Sequence, residues 1–149
     1  MKTYAGPAVI LLAEDNLADQ ELTRRVLDDS KIVNELFIVE DGVEALNYLR
    51  NEGKYTDKAR HPLPDLILLD INMPRMDGKQ TLMEIKKDPI LRAIPVIMLT
   101  TSNHERDVID SYKLGVNAYI TKPVDFDQFI NSIQRLKEFW LVVVTLPPH

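Results

Sequence analysis

The chain has 149 residues, of which 45% are hydrophobic and 28% are charged, and its formal net charge at neutral pH is -5. This length and composition are those of one globular domain. The chain has no cysteine, which excludes disulfides, thiolate metal sites and a cysteine nucleophile, and its acidic balance argues against a nucleic-acid partner, since phosphate binding needs a basic face.

The apolar segments of the sequence are short. The longest apolar runs cover residues 8 to 13 and 139 to 144, far below the roughly 20 residues that a membrane-spanning helix needs. The amino terminus has no charged segment followed by a long apolar core, so no signal peptide is predicted. We therefore expect a cytoplasmic protein that does not act at a membrane.

Short apolar runs alternate with amphipathic segments five times, a pattern typical of repeated βα units. Strands are predicted at residues 9 to 13, 36 to 39, 66 to 69, 95 to 99 and 118 to 121. Helices are predicted near residues 18 to 29, 43 to 49, 79 to 87 and 105 to 114, and from about residue 125 onward. With right-handed crossovers, we expect an α/β fold: a doubly wound, five-stranded parallel sheet in the order 2-1-3-4-5, with helices on both faces.

The periodicity of apolar residues predicts which face of each helix is buried. The residues expected on these faces are Leu22, Val26 and Leu27; Val43, Leu46 and Leu49; Leu82 and Ile85; Val108, Ile109 and Tyr112; and Phe126, Phe129, Ile130, Ile133, Leu136 and Trp140. Gly115 is a natural stop for the fourth helix.

Two segments exceed the five βα units. Residues 51 to 63 form a polar insertion before the third strand, and residues 139 to 149 form an apolar extension that ends in two prolines. We expect one domain with a core at about residues 8 to 138. An exposed apolar extension favours association, so we expect a homodimer through the last helix and this extension; the alternative is that the extension folds back on its own domain.

The third strand organises the rest of the chain. Leu66 to Leu69 are four consecutive apolar residues, which is typical of a strand buried on both faces at the centre of a parallel sheet. Asp70 follows at once, and Pro74 and Gly78 indicate turns after it. Ligands of open α/β sheets bind at the carboxyl ends of the strands, so Asp70 is the predicted reactive residue.

Other polar residues follow the neighbouring strands and should meet Asp70 at the same sheet edge. Glu14 and Asp15 follow the first strand, Thr100 ends the fourth and Lys122 follows the fifth. Carboxylates held together repel one another and need a cation, and oxygen ligands suit Mg²⁺. A metal-bound carboxylate beside a hydroxyl and an ammonium group predicts phosphoryl transfer to Asp70.

Four motifs in this order resemble the receiver domains of two-component response regulators. The resemblance covers about residues 8 to 138 and rests on Glu14-Asp15-Asn16, Asp70-Ile71-Asn72-Met73-Pro74 with Met76-Asp77-Gly78, Leu99-Thr100, and Tyr119-Ile120-Thr121-Lys122-Pro123. It implies that Asp70 is phosphorylated by a histidine kinase. The protein would then be a phospho-acceptor that assists its own phosphorylation and dephosphorylation, and not an enzyme.

The resemblance also implies a magnesium site. Asp15 and Asp70 would bind Mg²⁺ directly, Asn72 would bind it through its backbone carbonyl, and Glu14 would bind it through water. Lys122 would contact the phosphoryl group, with a cis peptide bond between Lys122 and Pro123.

The family resemblance further implies a switch. Thr100 would move toward the phosphoryl oxygens, and Tyr119 would swing inward behind it. The output face would comprise the fourth helix, the fifth strand and the fifth helix. With no second domain in the sequence, we expect output through contact with a downstream protein, whose identity stays open.

The insertion, the extension and residues 39 to 46 resemble the small single-domain regulators paired with cyanobacterial phytochromes. This narrower resemblance implies a phytochrome-type histidine kinase as the partner.

Two alternatives stay open on the sequence. A phosphohydrolase could form an aspartyl phosphate at Asp70, but Asn72 stands where such enzymes carry a second acid. An interaction module could bind Mg²⁺ and never be phosphorylated. His61, His104 and His149 are too isolated for a metal site and are interpreted as surface histidines.

Overall fold

A five-stranded parallel sheet in the order β2-β1-β3-β4-β5 forms the centre of the fold. The computed structural model describes residues 7 to 136. Its strands are β1 (Ala8–Ala13), β2 (Asn34–Val39), β3 (Leu66–Asp70), β4 (Val96–Thr100) and β5 (Ala118–Thr121). Its helices are α1 (Leu17–Asp29), α2 (Gly42–Arg50), α3 (Gly78–Lys87), α4 (Asn103–Ser111) and α5 (Phe126–Gln134). The predicted doubly wound α/β fold and strand order are confirmed.

The central strands are buried on both faces, as their unbroken apolar sequences predict. Every residue of β3 and β4 is buried. One face of the sheet packs its alternate side chains, such as Ile67, against Leu82 and Ile85 of α3. The other face packs Leu68 together with Phe129 of α5. These two apolar layers fix the register that brings the strand ends to one edge.

Each helix begins at a polar residue whose side chain accepts a hydrogen bond from the backbone of the first turn. These N-cap residues are Asn16, Asp41, Asp77, Ser102 and Asp125. Asp77 also forms a reciprocal capping box with Gln80. Such caps contribute about 1 kcal/mol each, and they set where each helix leaves the edge of the sheet.

Some expected core positions differ from the structure. In α1, Thr23 is buried and Leu22 is only half-buried. Burial of the Thr23 hydroxyl is tolerated because it donates a hydrogen bond to the Asp19 carbonyl oxygen. Tyr112 and Phe126 are 45% and 43% exposed, so their assignment to core faces is wrong. The fourth helix ends at Ser111, several residues before the predicted stop at Gly115.

The insertion at residues 51 to 63 is tied to α2. It contains a short 3-10 turn at Gly53–Tyr55, and the buried Tyr55 donates its hydroxyl hydrogen to Glu44 at 2.6 Å. The Asn51 side-chain amide donates to the carbonyl oxygens of Tyr55 and His61, both at 3.0 Å. Tyr48 donates to the carbonyl oxygen of Pro62 at 2.9 Å. These contacts close the insertion at its base.

His61 completes an aromatic cluster under the insertion. Its ring stands edge-on to the rings of Tyr48 and Tyr55, with centroids 5.7 and 5.1 Å away. The ring of Phe37 in β2 also packs against Tyr48, with centroids 5.6 Å apart. The interpretation of His61 as a plain surface histidine is therefore corrected, whereas His104 is exposed as expected.

Within residues 7 to 136, no helix combines the length and apolar character that crossing a membrane requires. The extension at residues 139 to 149, with the homodimer contact expected of it, and Trp140 lie outside the described residues.

Candidate functional site

The carboxyl ends of four strands meet at one edge of the sheet, and each delivers a polar side chain there. Glu14 directly follows β1, Asp70 ends β3, Thr100 ends β4 and Lys122 directly follows β5. Glu14, Asp70 and Thr100 are at most 1% exposed. Polar groups are seldom buried this completely unless they are paired or functional.

The loop after β3 folds tightly against the end of its own strand. The N–H of Gly78 donates to the carbonyl oxygen of Ile71 at 2.9 Å. A Cβ atom at residue 78 would lie 2.3 Å from the carbonyl oxygen of Asp70, a contact that no side chain allows. Glycine at this position therefore permits α3 to begin beside Asp70.

The Lys122 ammonium group lies among three carboxylates. Its Nζ is 2.9 Å from Glu14 Oε1, 3.1 Å from Asp19 Oδ2 and 3.2 Å from Asp70 Oδ2. Burial disfavours the charged amine, but the hydrogen bond to Glu14 and the charges of its neighbours outweigh burial and raise the pKa of Lys122. The peptide bond between Lys122 and Pro123 is cis, as the family resemblance implied.

The two buried acids ionise less readily than carboxyl groups in water. Burial raises the pKa of Glu14 to about 7, although the hydrogen bond from Lys122 opposes the shift. Burial also raises the pKa of Asp70, against the opposing charge of Lys122. One ammonium group thus compensates the desolvation of these carboxylates only in part.

Glu14, Asp15 and Asp70 form a cluster that could hold a metal ion. One carboxylate oxygen from each lies within 4.8 Å of the others, and Asp15 is exposed to solvent whereas the other two are buried. The backbone of Asn72 borders the same group, since its N–H lies 3.4 Å from Asp70 Oδ1. Oxygen donors around unneutralised negative charge fit a hard divalent cation that keeps several waters.

Thr100 offers an unused hydrogen-bond donor. Its Oγ1 is buried and has no hydrogen-bond partner within residues 7 to 136. An unpaired buried hydroxyl costs free energy, so its retention beside Asp70 favours a role in binding an incoming polar group.

Tyr119 lies against α4 and makes no hydrogen bond to Thr100 Oγ1. Its hydroxyl donates to Asp110 Oδ1 at 2.5 Å, and the guanidinium carbon of Arg106 stands 5.5 Å from its ring centroid. Burial and the Asp110 carboxylate raise the pKa of Tyr119. The fourth helix thus holds Tyr119 through a carboxylate acceptor and a cation.

The sequence reasoning missed two acids at this edge. Asp19, in the first turn of α1, contacts Lys122. Glu105, in the first turn of α4, accepts from the Asn72 side-chain amide at 2.7 Å and from the Thr101 N–H at 2.6 Å. Both stand three residues after an N-cap, a spacing that could have indicated first-turn acids pointing toward this edge.

Comparison with known proteins identifies the family of this chain. Residues 10–134 match the family model described as the response regulator receiver domain. The chain is similar to Response regulator Rcp1 of Synechocystis sp. at 48% identity, covering 95% of this chain and 94% of that one.

Solved structures agree with this result. The phosphorylated cyanobacterial phytochrome response regulator RcpA superposes with a TM-score of 0.75 at 45% identity, covering 96% of this chain and 100% of that one. The Mn²⁺-bound form of Rcp1 gives a TM-score of 0.73 at 47% identity, covering 95% of this chain and 100% of that one. The chain therefore belongs to the response regulator receiver domain family.

Proposed function

We propose that Asp70 is the residue that receives the phosphoryl group from a histidine kinase. The observation that carries this proposal is the buried Asp70 carboxylate, 3.2 Å from the Lys122 ammonium and grouped with Glu14 and Asp15. Receiver domains are phospho-acceptors, and this carboxylate combines burial with an adjacent cation and a set of metal-binding oxygens.

The transfer needs little from the protein beyond position and charge. A carboxylate oxygen of Asp70 attacks the phosphorus atom, the bond from phosphorus to the donor breaks, and its electron pair stays with the donor. The positive charge of Lys122 favours the ionised form of Asp70 and opposes the effect of burial. Lys122 then donates to the transferred phosphoryl oxygens, and Thr100 supplies the second donor from its unpaired hydroxyl.

We infer that the cation of this site is Mg²⁺. Asp15, Asp70 and the backbone carbonyl of Asn72 would bind it directly, and Glu14 would bind it through water. The indirect role for Glu14 is supported by its 2.9 Å bond to Lys122, which engages one of its oxygens. When bound, the metal neutralises charge on the phosphoryl oxygens.

The switch is proposed to join Thr100 to Tyr119. Once the Thr100 hydroxyl turns toward a phosphoryl oxygen, the space behind it opens for the Tyr119 ring. To move there, Tyr119 must leave its hydrogen bond to Asp110. The phosphoryl group would thus bias two states of a surface made of α4, β5 and α5.

The likeness to Rcp1 and to phytochrome response regulators supports a phytochrome-type histidine kinase as the phosphoryl donor.

We further propose that the protein signals by contact with a downstream protein in the cytoplasm. We also propose that it forms a homodimer through α5 and residues 139 to 149. Light scattering on the full chain and on a chain ending at Lys137 tests the dimer, which a monomeric full-length chain would contradict.

The test of this proposal is to incubate the protein with acetyl phosphate, with and without Mg²⁺, and to measure its intact mass by mass spectrometry. We expect one phosphoryl adduct that requires Mg²⁺ and is absent from Asp70→Asn. Asp65→Asn is the matched control, because Asp65 precedes β3 at the amino end of the strand, away from the site. This variant should still form the adduct.

Two results would contradict the proposal. Release of inorganic phosphate by catalytic turnover without an adduct would favour a phosphohydrolase. If neither acetyl phosphate nor a phosphorylated histidine kinase gives an adduct or turnover, the result would favour an interaction module that is never phosphorylated.

A further inference from the structure

The hydrogen bonds of Lys122 raise a question about the phosphorylated state. An ammonium group has three N–H donors, and Lys122 faces three carboxylate oxygens at 2.9 to 3.2 Å. Lys122 therefore donates to Glu14 and Asp70 and forms an ion pair with Asp19 before any phosphoryl group arrives. A phosphoryl oxygen that binds Lys122 therefore displaces one of these carboxylate contacts.

The three carboxylates differ in how easily they can be displaced. The side chains of Glu14 and Asp70 are 1% and 2% exposed, whereas that of Asp19 is 29% exposed. Asp70 itself carries the phosphoryl group in the phosphorylated state, whereas Glu14 would be left as a buried, uncompensated carboxylate if it lost the ammonium group, which is strongly unfavourable. Asp19 can exchange the ammonium for water at small cost.

The backbone holds Asp19 in place for this exchange. The Asn16 side chain accepts a hydrogen bond from the Asp19 N–H at 2.9 Å, and the Asp19 carbonyl accepts from the Thr23 hydroxyl at 2.9 Å. Helix α1 thus fixes the residue, and only its carboxylate has to release Lys122. Asp19 acts through Lys122 and is a positioning residue.

We propose that Asp19 is the exchangeable partner of Lys122, which holds the ammonium group in the unphosphorylated protein and yields it to a phosphoryl oxygen. This inference rests on the proposed function of Asp70. Asp19 competes with the phosphoryl group for the ammonium group and adds a repelling negative charge. The residue therefore restrains phosphorylation, and its neutralisation should favour the phosphorylated state.

The test compares wild type with Asp19→Asn in Mg²⁺, measuring the rate of adduct formation from acetyl phosphate and the affinity for beryllofluoride, a phosphoryl mimic. We expect both to increase about fivefold in Asp19→Asn, since one charge contact near the site is lost. Asp19→Glu keeps the carboxylate in the first turn of α1 and should stay close to wild type.

Glu21→Gln is the matched control for charge alone. Glu21 lies on the same helix but pairs with Arg24 and Arg25, so its neutralisation should leave both quantities unchanged. The measurements are repeated at about 0.5 M salt, where a long-range charge effect is screened and a contact with Lys122 persists. Urea unfolding of each variant excludes a change in stability as the cause.

Several outcomes would overturn the inference while leaving the proposed function intact. These are equal or slower phosphorylation of Asp19→Asn, a gain that disappears at high salt, or the same gain in Glu21→Gln. An absence of adduct on wild type under every condition would instead contradict the proposed role of Asp70.

Discussion

The strand-edge site and the insertion at residues 51 to 63 both bury polar groups, but they treat them differently. At the site, Glu14 and Asp70 are buried beside each other and share the Lys122 ammonium. Under the insertion, the Tyr48 and Tyr55 hydroxyls each have an acceptor of their own, at 2.9 and 2.6 Å. The first region has more buried charge than it can compensate, and the second has its hydroxyls satisfied.

The difference shows where this fold gives up stability and where it gains it. Excess negative charge destabilises the metal-free site, yet the same charge favours the binding of a divalent cation beside Asp70. The insertion contributes packing and hydrogen bonds. Removing a carboxylate from the site should therefore raise the stability of the metal-free protein, whereas removing a hydroxyl under the insertion should lower it. Substitutions that collide with the backbone lower stability in either region.

The largest effect is expected at the backbone of the site. Gly78→Ala places a methyl group 2.3 Å from the Asp70 carbonyl oxygen, and we expect a loss of about 3 kcal/mol in the free energy of unfolding. Gly115→Ala is the control: its Cβ meets no atom of residues 7 to 136 within 4 Å, and its φ of +76° is strained, at about 1 kcal/mol. Urea denaturation measures both. Equal losses would mean that the loop after β3 can move aside.

A smaller loss is expected under the insertion. Tyr55→Phe removes the hydroxyl that donates to Glu44, and we expect a loss of about 1.5 kcal/mol, because the acceptor is charged. Tyr112→Phe, at a residue 45% exposed, should cost less than about 0.5 kcal/mol. Thermal or urea unfolding of the pair checks this. Comparable losses would show that the insertion adds no stability through this contact.

The smallest effect concerns the pH dependence of the site. The pKa of Glu14 is raised from 4.5 to about 7 in the folded protein, so between these values the folded state binds more protons than the unfolded state. Its contribution to the free energy of unfolding therefore falls as pH rises through this window. Glu14→Gln should reduce the loss between about pH 6 and pH 7 by about 1 kcal/mol.

The measurement is urea denaturation in EDTA, which keeps metal from adding its own stabilisation. Glu21→Gln, at an exposed residue of α1, is the control and should retain the slope of wild type. An unchanged slope in Glu14→Gln would mean that Lys122 fully compensates the Glu14 carboxylate.

The sequence was sufficient to predict the strand order and the residues at the strand ends. Unbroken apolar runs such as Leu66 to Leu69 leave little choice but a central strand, and parallel connection brings every strand's carboxyl end to one edge. Glu14, Asp70 and Lys122 therefore meet where strand topology requires. Asp15 joins them because it is the next residue after Glu14.

Contacts that depend on helix rotation were harder to predict. Asp19 and Glu105 reach the site from first turns, and which way a first turn points depends on how its helix packs. Apolar periodicity failed at Tyr112 and Phe126, which lie at helix ends: Tyr112 is the C-cap of α4 and Phe126 is the first residue of α5. Tyr55 and His61 lie in a polar insertion, and no short-range pattern indicated their packing.

The closed base of the insertion has a practical consequence. The Asn51 side chain joins the two ends of this loop through the carbonyls of Tyr55 and His61, while residues 56 to 60 between them are exposed. A surface loop whose ends are fastened together tolerates added length at its tip. A fluorophore or a small tag inserted at residues 56 to 60 should therefore leave the sheet undisturbed. Such a label would allow the binding of the protein to other molecules to be followed in living cells.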